Sequence, residues 1–316
     1  MSRTLVGVDL GGTNIRAAVA TGASTHSAPA HRATPAQEGP DAVLDAVAEC
    51  AREAAHGAAI DGLAIGIPGP LDATSGVVHA APHLAGWTDV PAQQMLRDRL
   101  QCDVAIRNDA SLAGFAEWTA GAGRGTRHFV FITASTGVGG ALVLDGRLHD
   151  GIGSAGEVGH MPVGPEAPPC GQGHPGCLEG TASGTAIAAA ARQALDAGAS
   201  SSMTRLDRAA LSARDVEVAA RDGDALAVRL FAVAGRALGR ACGGIINLLA
   251  PEVIVIGGGL INADALLFDP LRAAIAEIAF EWPMSRCRIL AAELGTDAGL
   301  VGATAWAVHS FERASG

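Results

Sequence analysis

The segment Leu5-Val6-Gly7-Val8-Asp9-Leu10-Gly11-Gly12-Thr13-Asn14-Ile15-Arg16-Ala17-Ala18-Val19-Ala20 decides the fold. Leu5 to Asp9 has the apolar run of a buried strand, and Ile15 to Ala20 reads as a second strand returning from it. Gly11-Gly12 permits the tight turn between them, so the unit is a hairpin and not a strand feeding a helix. Asp9, two bare backbone amides and the Thr13 hydroxyl, followed by Asn14, fall within one turn. That set holds a phosphate while ordering the water shell of a magnesium ion. Taken alone, the stretch also fits a plain hairpin whose aspartate satisfies turn amides.

The same device recurs. Phe129 to Thr133 is strand-like, Ser135-Thr136-Gly137-Val138-Gly139-Gly140 turns, and Ala141 to Leu144 returns. Thr136, Gly137 and Gly139 form a second candidate phosphate cradle. A third apolar run, Val253 to Ile256, ends in Gly257-Gly258-Gly259, where missing side chains let a flat base or ribose approach the backbone. Between these turns, the strand Leu63 to Ile67 stops at Pro68-Gly69-Pro70. The strand Val104 to Arg107 delivers Asn108 and Asp109 to its carboxyl end, where open α/β sheets place ligands, with Ser111 expected as the N-cap of the next helix. Helical spacing marks Asp41 to His56, Ala92 to Leu100, segments beginning at Ser183 and Asp224, and Gly299 to Phe311. The alternation predicts an α/β protein of two related lobes.

Composition removes several classes. The chain has 316 residues, more than one core usually supports, and 49% of them are apolar, which excludes disorder. No lysine occurs, so all 22 basic residues are arginine, and the formal charge is −10. A phosphate loop of the Walker type needs its lysine and is excluded; nucleic acid and anionic membrane are poor partners for this charge. No secretory leader precedes Leu5 and no apolar run reaches the ~18–20 residues of a membrane span, so a cytoplasmic protein is expected. Of six cysteines, Cys50, Cys102, Cys242 and Cys287 read as reduced core thiols, while Cys170 and Cys177 form a local pair.

Together, Asp9 to Thr13 with Arg16, Ile67-Pro68-Gly69, Asn108-Asp109-Ala110, Ser135 to Gly140, Gly156-Glu157-Val158-Gly159-His160, Gly176-Cys177-Leu178-Glu179 and Ile256 to Gly259 resemble the ROK family of sugar kinases and sugar-responsive repressors, within the hexokinase, actin and Hsp70 superfamily. The resemblance covers almost the whole chain. It implies a two-lobed actin-like ATPase (ribonuclease H-like) fold with a ligand cleft between the lobes: residues 1–116 completed by helix 299–316, and residues 117–298. It further implies ATP and Mg2+ as cofactors, a sugar bound by Pro68, Gly69, Asn108, Asp109, Glu157, His160 and Glu179, Asp109 as the catalytic base, and a homodimer. The chemistry agrees, because phosphoryl transfer asks for positioning, charge neutralisation and one carboxylate to take the hydroxyl proton.

The family's structural zinc is typically held by one histidine and three cysteines. Here Cys170-Gly171-Gln172-Gly173-His174-Pro175-Gly176-Cys177 places Gln172 where the middle cysteine belongs. His160, Cys170 and Cys177 alone predict weak binding, with His174 available as a fourth ligand; a metal-free loop stays open beside zinc.

Phosphorylation of a hexose at C6, glucose first, is the function the resemblance implies. Ser135 and the Ala182-Ser183-Gly184 segment are similar to N-acetylmannosamine kinases, the second reading, with fructose or mannose kinases and a sugar sensor without a DNA-binding domain behind them. A non-catalytic ATPase or filament protein would not need Glu157, His160 and Glu179.

Overall fold

The computed structural model describes residues 3–165 and 167–312. The chain divides into two compact units: one holds the residues up to Gly125, then Ala141–Gly156, then those from Glu293 on; the other holds Thr126–Gly140 and Glu157–Ala292. Among the described residues, no helix is long and apolar enough to cross a membrane.

In the first unit the opening segment is a hairpin: β1 (Leu5–Leu10) pairs antiparallel with β2 (Asn14–Gly22), and neither Gly11 nor Gly12 adopts a positive φ in the turn between them. After β3 (Thr25–His26), β4 (Ala30–Ala33) and α1 (Pro40–Ala54) come β5 (Gly62–Ile67), β6 (Leu71–Asp72), β7 (Val77–Ala80), β8 (Thr88–Val90), α2 (Ala92–Leu100), β9 (Asp103–Asn108) and α3 (Asp109–Thr119). The main sheet runs β3-β2-β1-β5-β9, with β4 beside β2, and β6, β7 and β8 form a small antiparallel sheet. β1, β5 and β9 are mutually parallel. Val43, Leu44, Val47 and Cys50 on α1 share a core with Val6, Val8, Leu63 and Ile65 of the sheet. Each such side chain contributes roughly 1.5–3 kcal/mol relative to exposure.

One boundary differs from the sequence expectation. Ser111 is not a cap; it lies inside α3 and is buried, and Asn108 caps the helix by accepting from Ser111 N at 3.1 Å. β9 runs into α3 without a linker. The last strand residue already has the extended backbone (φ −63°, ψ 143°) that an N-cap requires.

The second unit is built on β10 (Phe129–Ala134), β13 (Val253–Gly257) and β14 (Arg288–Ala291), which are parallel. β11 (Val138–Leu144) follows β10 through the Ser135–Gly137 turn, and the chain passes to the first unit after Gly140, where β12 (Arg147–Leu148) completes a second hairpin. Helices α4 (Glu179–Ala182), α5 (Gly184–Asp196), α6 (Ala213–Arg221), α7 (Ala225–Leu249), α8 (Ala265–Ile278) and α9 (Glu281–Met284) complete the unit. Ser183 and Asp224 cap α5 and α7 as their sequences suggest. Four cysteines are buried, Cys50, Cys170, Cys177 and Cys242. Cys102 and Cys287, expected in the core, are only half-buried.

Helix α10 (Ala298–Phe311) returns to the first unit and lies at backbone distance from it. A Cβ on Gly7 of β1 would overlap the Thr304 amide, one on Gly302 would overlap the Leu112 carbonyl in α3, and one on Gly62 would stand 2.6 Å from the Phe311 ring. Trp306 meets Phe115 edge to face at 5.0 Å and lies under the Arg107 guanidinium at 4.5 Å. Gly302→Ala is therefore expected to destabilise the protein by about 1–3 kcal/mol, because the displaced atoms are backbone and cannot rotate away. A urea denaturation midpoint equal to wild type would show that the helix contact yields freely.

Candidate functional site

In the first unit, the parallel strands β1, β5 and β9 end side by side. Their ladders pair Asp9 with Gly66 and Ile67 with Asn108, so the Gly11-Gly12 turn, Pro68-Gly69 and Asn108-Asp109 share one edge of the sheet. Asp9 and Arg16 are cross-strand partners, and Asp9 Oδ2 accepts from Arg16 Nη2 at 2.7 Å and from Nε at 3.2 Å. Arg16 also reaches Asp297 at 3.3 Å and the Thr296 carbonyl. Asp9 is thus paired with an arginine across the hairpin. Gly11 N donates to Asn14 O at 2.9 Å, and the turn's outer carbonyls accept from Thr34: Oγ1 to Gly11 O at 2.7 Å, N to Thr13 O at 2.9 Å. Asn14 Nδ2 donates to the Thr13 hydroxyl.

Gly69 has φ +93°, and a Cβ there would overlap the Ala80 carbonyl, so only glycine fits this bend. Its carbonyl accepts from Asn108 Nδ2 at 3.2 Å. Asn108 thus uses one amide hydrogen on Gly69 and one lone pair on its own helix, and retains one of each. Asp109 opens α3, with Oδ1 accepting from Ala110 N at 2.8 Å, and its Cα stands 3.4 Å from the place a Gly66 side chain would begin.

In the second unit, the Ser135–Gly140 turn leans on the start of α5. Gly184 N donates to Ser135 O at 2.6 Å, and Thr185 Oγ1 to Thr136 O at 2.9 Å. Glu179 is bound to the same turn: its Oε2 accepts from Val138 N at 3.0 Å and crowds Gly137, where a Cβ would be 2.8 Å away. Gly139 follows inside β11. Gly258, at φ +84°, seats the Gly257–Gly259 turn against Ala134 O. Beside these turns lies a cavity of about 470 Å³, lined among others by Thr136, Thr185, Arg214, Glu217, Leu260 and Asn262. Its size suits a small-molecule ligand. Glu217 there is 5% exposed and receives Arg214 at 2.7 Å and Arg221 at 3.0 Å. The sequence reading missed this pocket, because Arg214, Glu217 and Arg221 stand three and four residues apart on α6 and read as a solvated helix face.

Glu157 and His160 bracket a single 3-10 turn, Val158–His160, with His160 N donating to Glu157 O at 3.1 Å. Protein atoms around the Glu157 carboxylate, whose residue surface is otherwise exposed, raise its pKa by desolvation. His160 opposes this and Glu179 adds to it.

His160 also meets the cysteine loop. Cys170 N accepts its place in a tight turn by donating to His174 O, and Gly173, at φ +82°, donates to Cys170 O; this folds His174 back over Cys170. Cys177 is set by a bridge to Pro162. Ligand atoms of His160, Cys170, His174 and Cys177 all fall within 4.8 Å of one another, with Cys170 Sγ 3.7 Å from His160 Nδ1. Tetrahedral zinc needs roughly 3.3–3.8 Å between ligand atoms, so two thiols and two imidazoles fit the ion after a small contraction. His174, and not Gln172, is the fourth member of this cluster.

The family model described as "ROK family" matches residues 5–310. The chain is 35% identical to a glucokinase of Thermotoga maritima over 304 residues, 95% of each chain. It is 33% identical to an N-acetylmannosamine kinase of Salmonella typhi over 305 residues, 95% of this chain and 97% of the other. Among solved structures, a ROK family glucokinase from Streptomyces griseus in complex with glucose and AMPPNP superposes with a TM-score of 0.83 at 31% identity, covering 97% of this chain and 100% of that one.

Proposed function

The chain belongs to the ROK family, and from that membership we propose that it is a glucokinase, transferring the γ-phosphoryl of ATP to the C6 hydroxyl of glucose. It is an ATP-dependent sugar kinase with the two-lobed actin-like ATPase fold of its relatives. The observation that carries the reading is the shared sheet edge that brings a phosphate-binding glycine turn and the carboxylate of Asp109 to the ends of parallel strands.

In this reading Asp109 takes the proton of the C6 hydroxyl as the O6–Pγ bond forms and the bond from Pγ to the bridging oxygen breaks, leaving ADP. Glu157, His160 and Glu179 receive and orient the other hydroxyls, joined by Asn108 through its remaining donor and acceptor and by Pro68-Gly69. Gly11, Gly12, Thr13 and Asn14, with Thr136, Gly137 and Gly139, hold the phosphates by backbone and hydroxyl groups. The nucleoside lies in the cavity beside Gly257, Gly258 and Gly259. Asp9 would order the waters of a magnesium ion, whose charge offsets that of the phosphates. N-acetylmannosamine is the second candidate, supported by the Salmonella relative and by Ser135.

We further assign a structural zinc to His160, Cys170, His174 and Cys177. The ion would tie the 160–177 loop and thereby the start of α4, where Glu179 stands.

Coupled ADP release with ATP, magnesium and a panel of hexoses and N-acetylhexosamines should give its highest kcat/KM on glucose. Silence on every sugar would overturn the kinase reading. Asp109→Asn keeps the shape and loses the base, so kcat should fall at least about 100-fold with glucose affinity retained. Near-normal turnover would remove Asp109 from that role. Purified protein should contain about one zinc per chain, and His174→Ala well below that, with a lower melting temperature. Equal zinc content in the two proteins would refute His174 as a ligand.

A further inference from the structure

Gly12 stands in the phosphate turn without a backbone reason to be glycine, since its φ lies outside the left-handed region that other glycines of this chain adopt. The reason is space. A Cβ on Gly12 would sit 3.2 Å from the Cβ of His83 and 3.9 Å from its Cγ, so the imidazole begins directly on the turn.

His83 is held there by its neighbours. Leu84 N donates to Ala81 O at 3.0 Å, closing a turn around Pro82 and His83, while Ala81, Leu84 and Trp87 anchor the loop in the core beneath. Ala85 N donates to Ala36 O at 2.7 Å, and two residues before Ala36, Thr34 binds the Gly11 and Thr13 carbonyls. Loop and turn are thus fastened to the same short segment. The ring itself is exposed and makes no hydrogen bond or ion pair among the described residues.

Charge makes this position consequential. The transferring phosphoryl carries negative charge over three equatorial oxygens, and donors aimed at them lower the barrier. This chain has no lysine to offer, and Arg16, the one arginine of the hairpin, is occupied by Asp9 and Asp297. An imidazole supplies a donor in either protonation state, since the neutral ring keeps one N–H and the charged ring has two.

We infer that His83 is a further catalytic residue, donating a hydrogen bond from its imidazole to an oxygen of the γ-phosphoryl group as it passes to the sugar. The inference rests on the reading that the Gly11-Gly12 turn holds the donor's phosphates. Asp109 remains the base, and His83 exchanges no proton with the sugar.

The test separates ligands that differ in that phosphate. Equilibrium affinities for magnesium ADP and for the magnesium complex of AMPPNP are measured with wild type, His83→Ala and His83→Gln, together with kcat and the KM of the sugar. The expected result for His83→Ala is a loss on the order of tenfold in AMPPNP affinity, with ADP affinity and sugar KM unchanged and kcat reduced at least tenfold. His83→Gln restores part of both, because its amide keeps an N–H. An equal loss for both nucleotides, or none for either, overturns the inference. Gly12→Ala, measured alongside, distinguishes the two failures. If it weakens both nucleotides while His83→Ala binds them as wild type does, the inference alone fails; if Gly12→Ala and His83→Ala both leave nucleotide binding untouched, the reading of the turn as the phosphate site fails with it.

Discussion

Everything in the first unit depends on the closeness of α10 to the elements it covers. Gly7, Gly62 and Gly302 remove the side chains that would otherwise hold the helix away from β1, β5 and α3, and Gly299 does the same beside the Asp9 carboxylate, where a Cβ would lie 2.8 Å from Oδ1. Backbone touching backbone is stiff, since it offers no rotamer to absorb a displacement. The consequence is geometric. β1 carries the Gly11-Gly12 turn and α3 begins with Asp109, and both are pressed on one helix, so turn and carboxylate keep a fixed separation. The other end of α3 is secured as well. Glu117, fully buried, accepts from the backbone amides of Ala122, Glu293 and Leu294 at 3.0, 3.2 and 2.7 Å.

In the second unit one carboxylate performs the comparable task. Glu179 stands two residues after Cys177, the last member of the His160, Cys170, His174 and Cys177 cluster, and fixes the glycine turn through Val138 N. A group expected to address a sugar is also a strut for the phosphate cradle. Its two oxygens permit both duties, because a carboxylate accepts from several donors at once. The cysteine loop, Glu179 and the Ser135–Gly140 turn are consequently one mechanical assembly within this unit. Removing any member disturbs the others.

What the sequence revealed was what local pattern encodes. The three glycine turns, the strands leading into them and the helices α2 and α5 follow from alternation, spacing and capping over a few residues, and they stand where those signals place them. The junction at Asn108 was misread for a local reason too: Ser111 resembles a cap, and only the absence of a linker after β9 moves that role to Asn108. Other features come from pairs distant in the chain. The bond from Val138 to Glu179 spans 41 residues, and the contact of His83 with Gly12 joins a loop of no distinctive composition to the most distinctive motif in the protein. No spacing rule reports either. Glu217 is a third case, its ordinary helical pairing hiding that its own carboxylate is buried beneath two exposed arginines. His174 was partly visible, because a histidine two residues from a missing cysteine is a candidate ligand, but only the Gly173 turn brings it over Cys170.

The brace on β1 also sets an order in time. β1 is made before every other element described, and α10 follows them all. Nearly 300 residues separate them, so at cellular rates the ribosome needs roughly 15 to 60 s to supply the helix after the strand has appeared. Gly7 lacks its cover throughout that interval, and Gly62, Ala64 and Leu112 lack theirs from the moment each is made until α10 arrives. The most distinctive hairpin of the sequence is thus, among the described elements, one of the last to become fully enclosed as the chain is made.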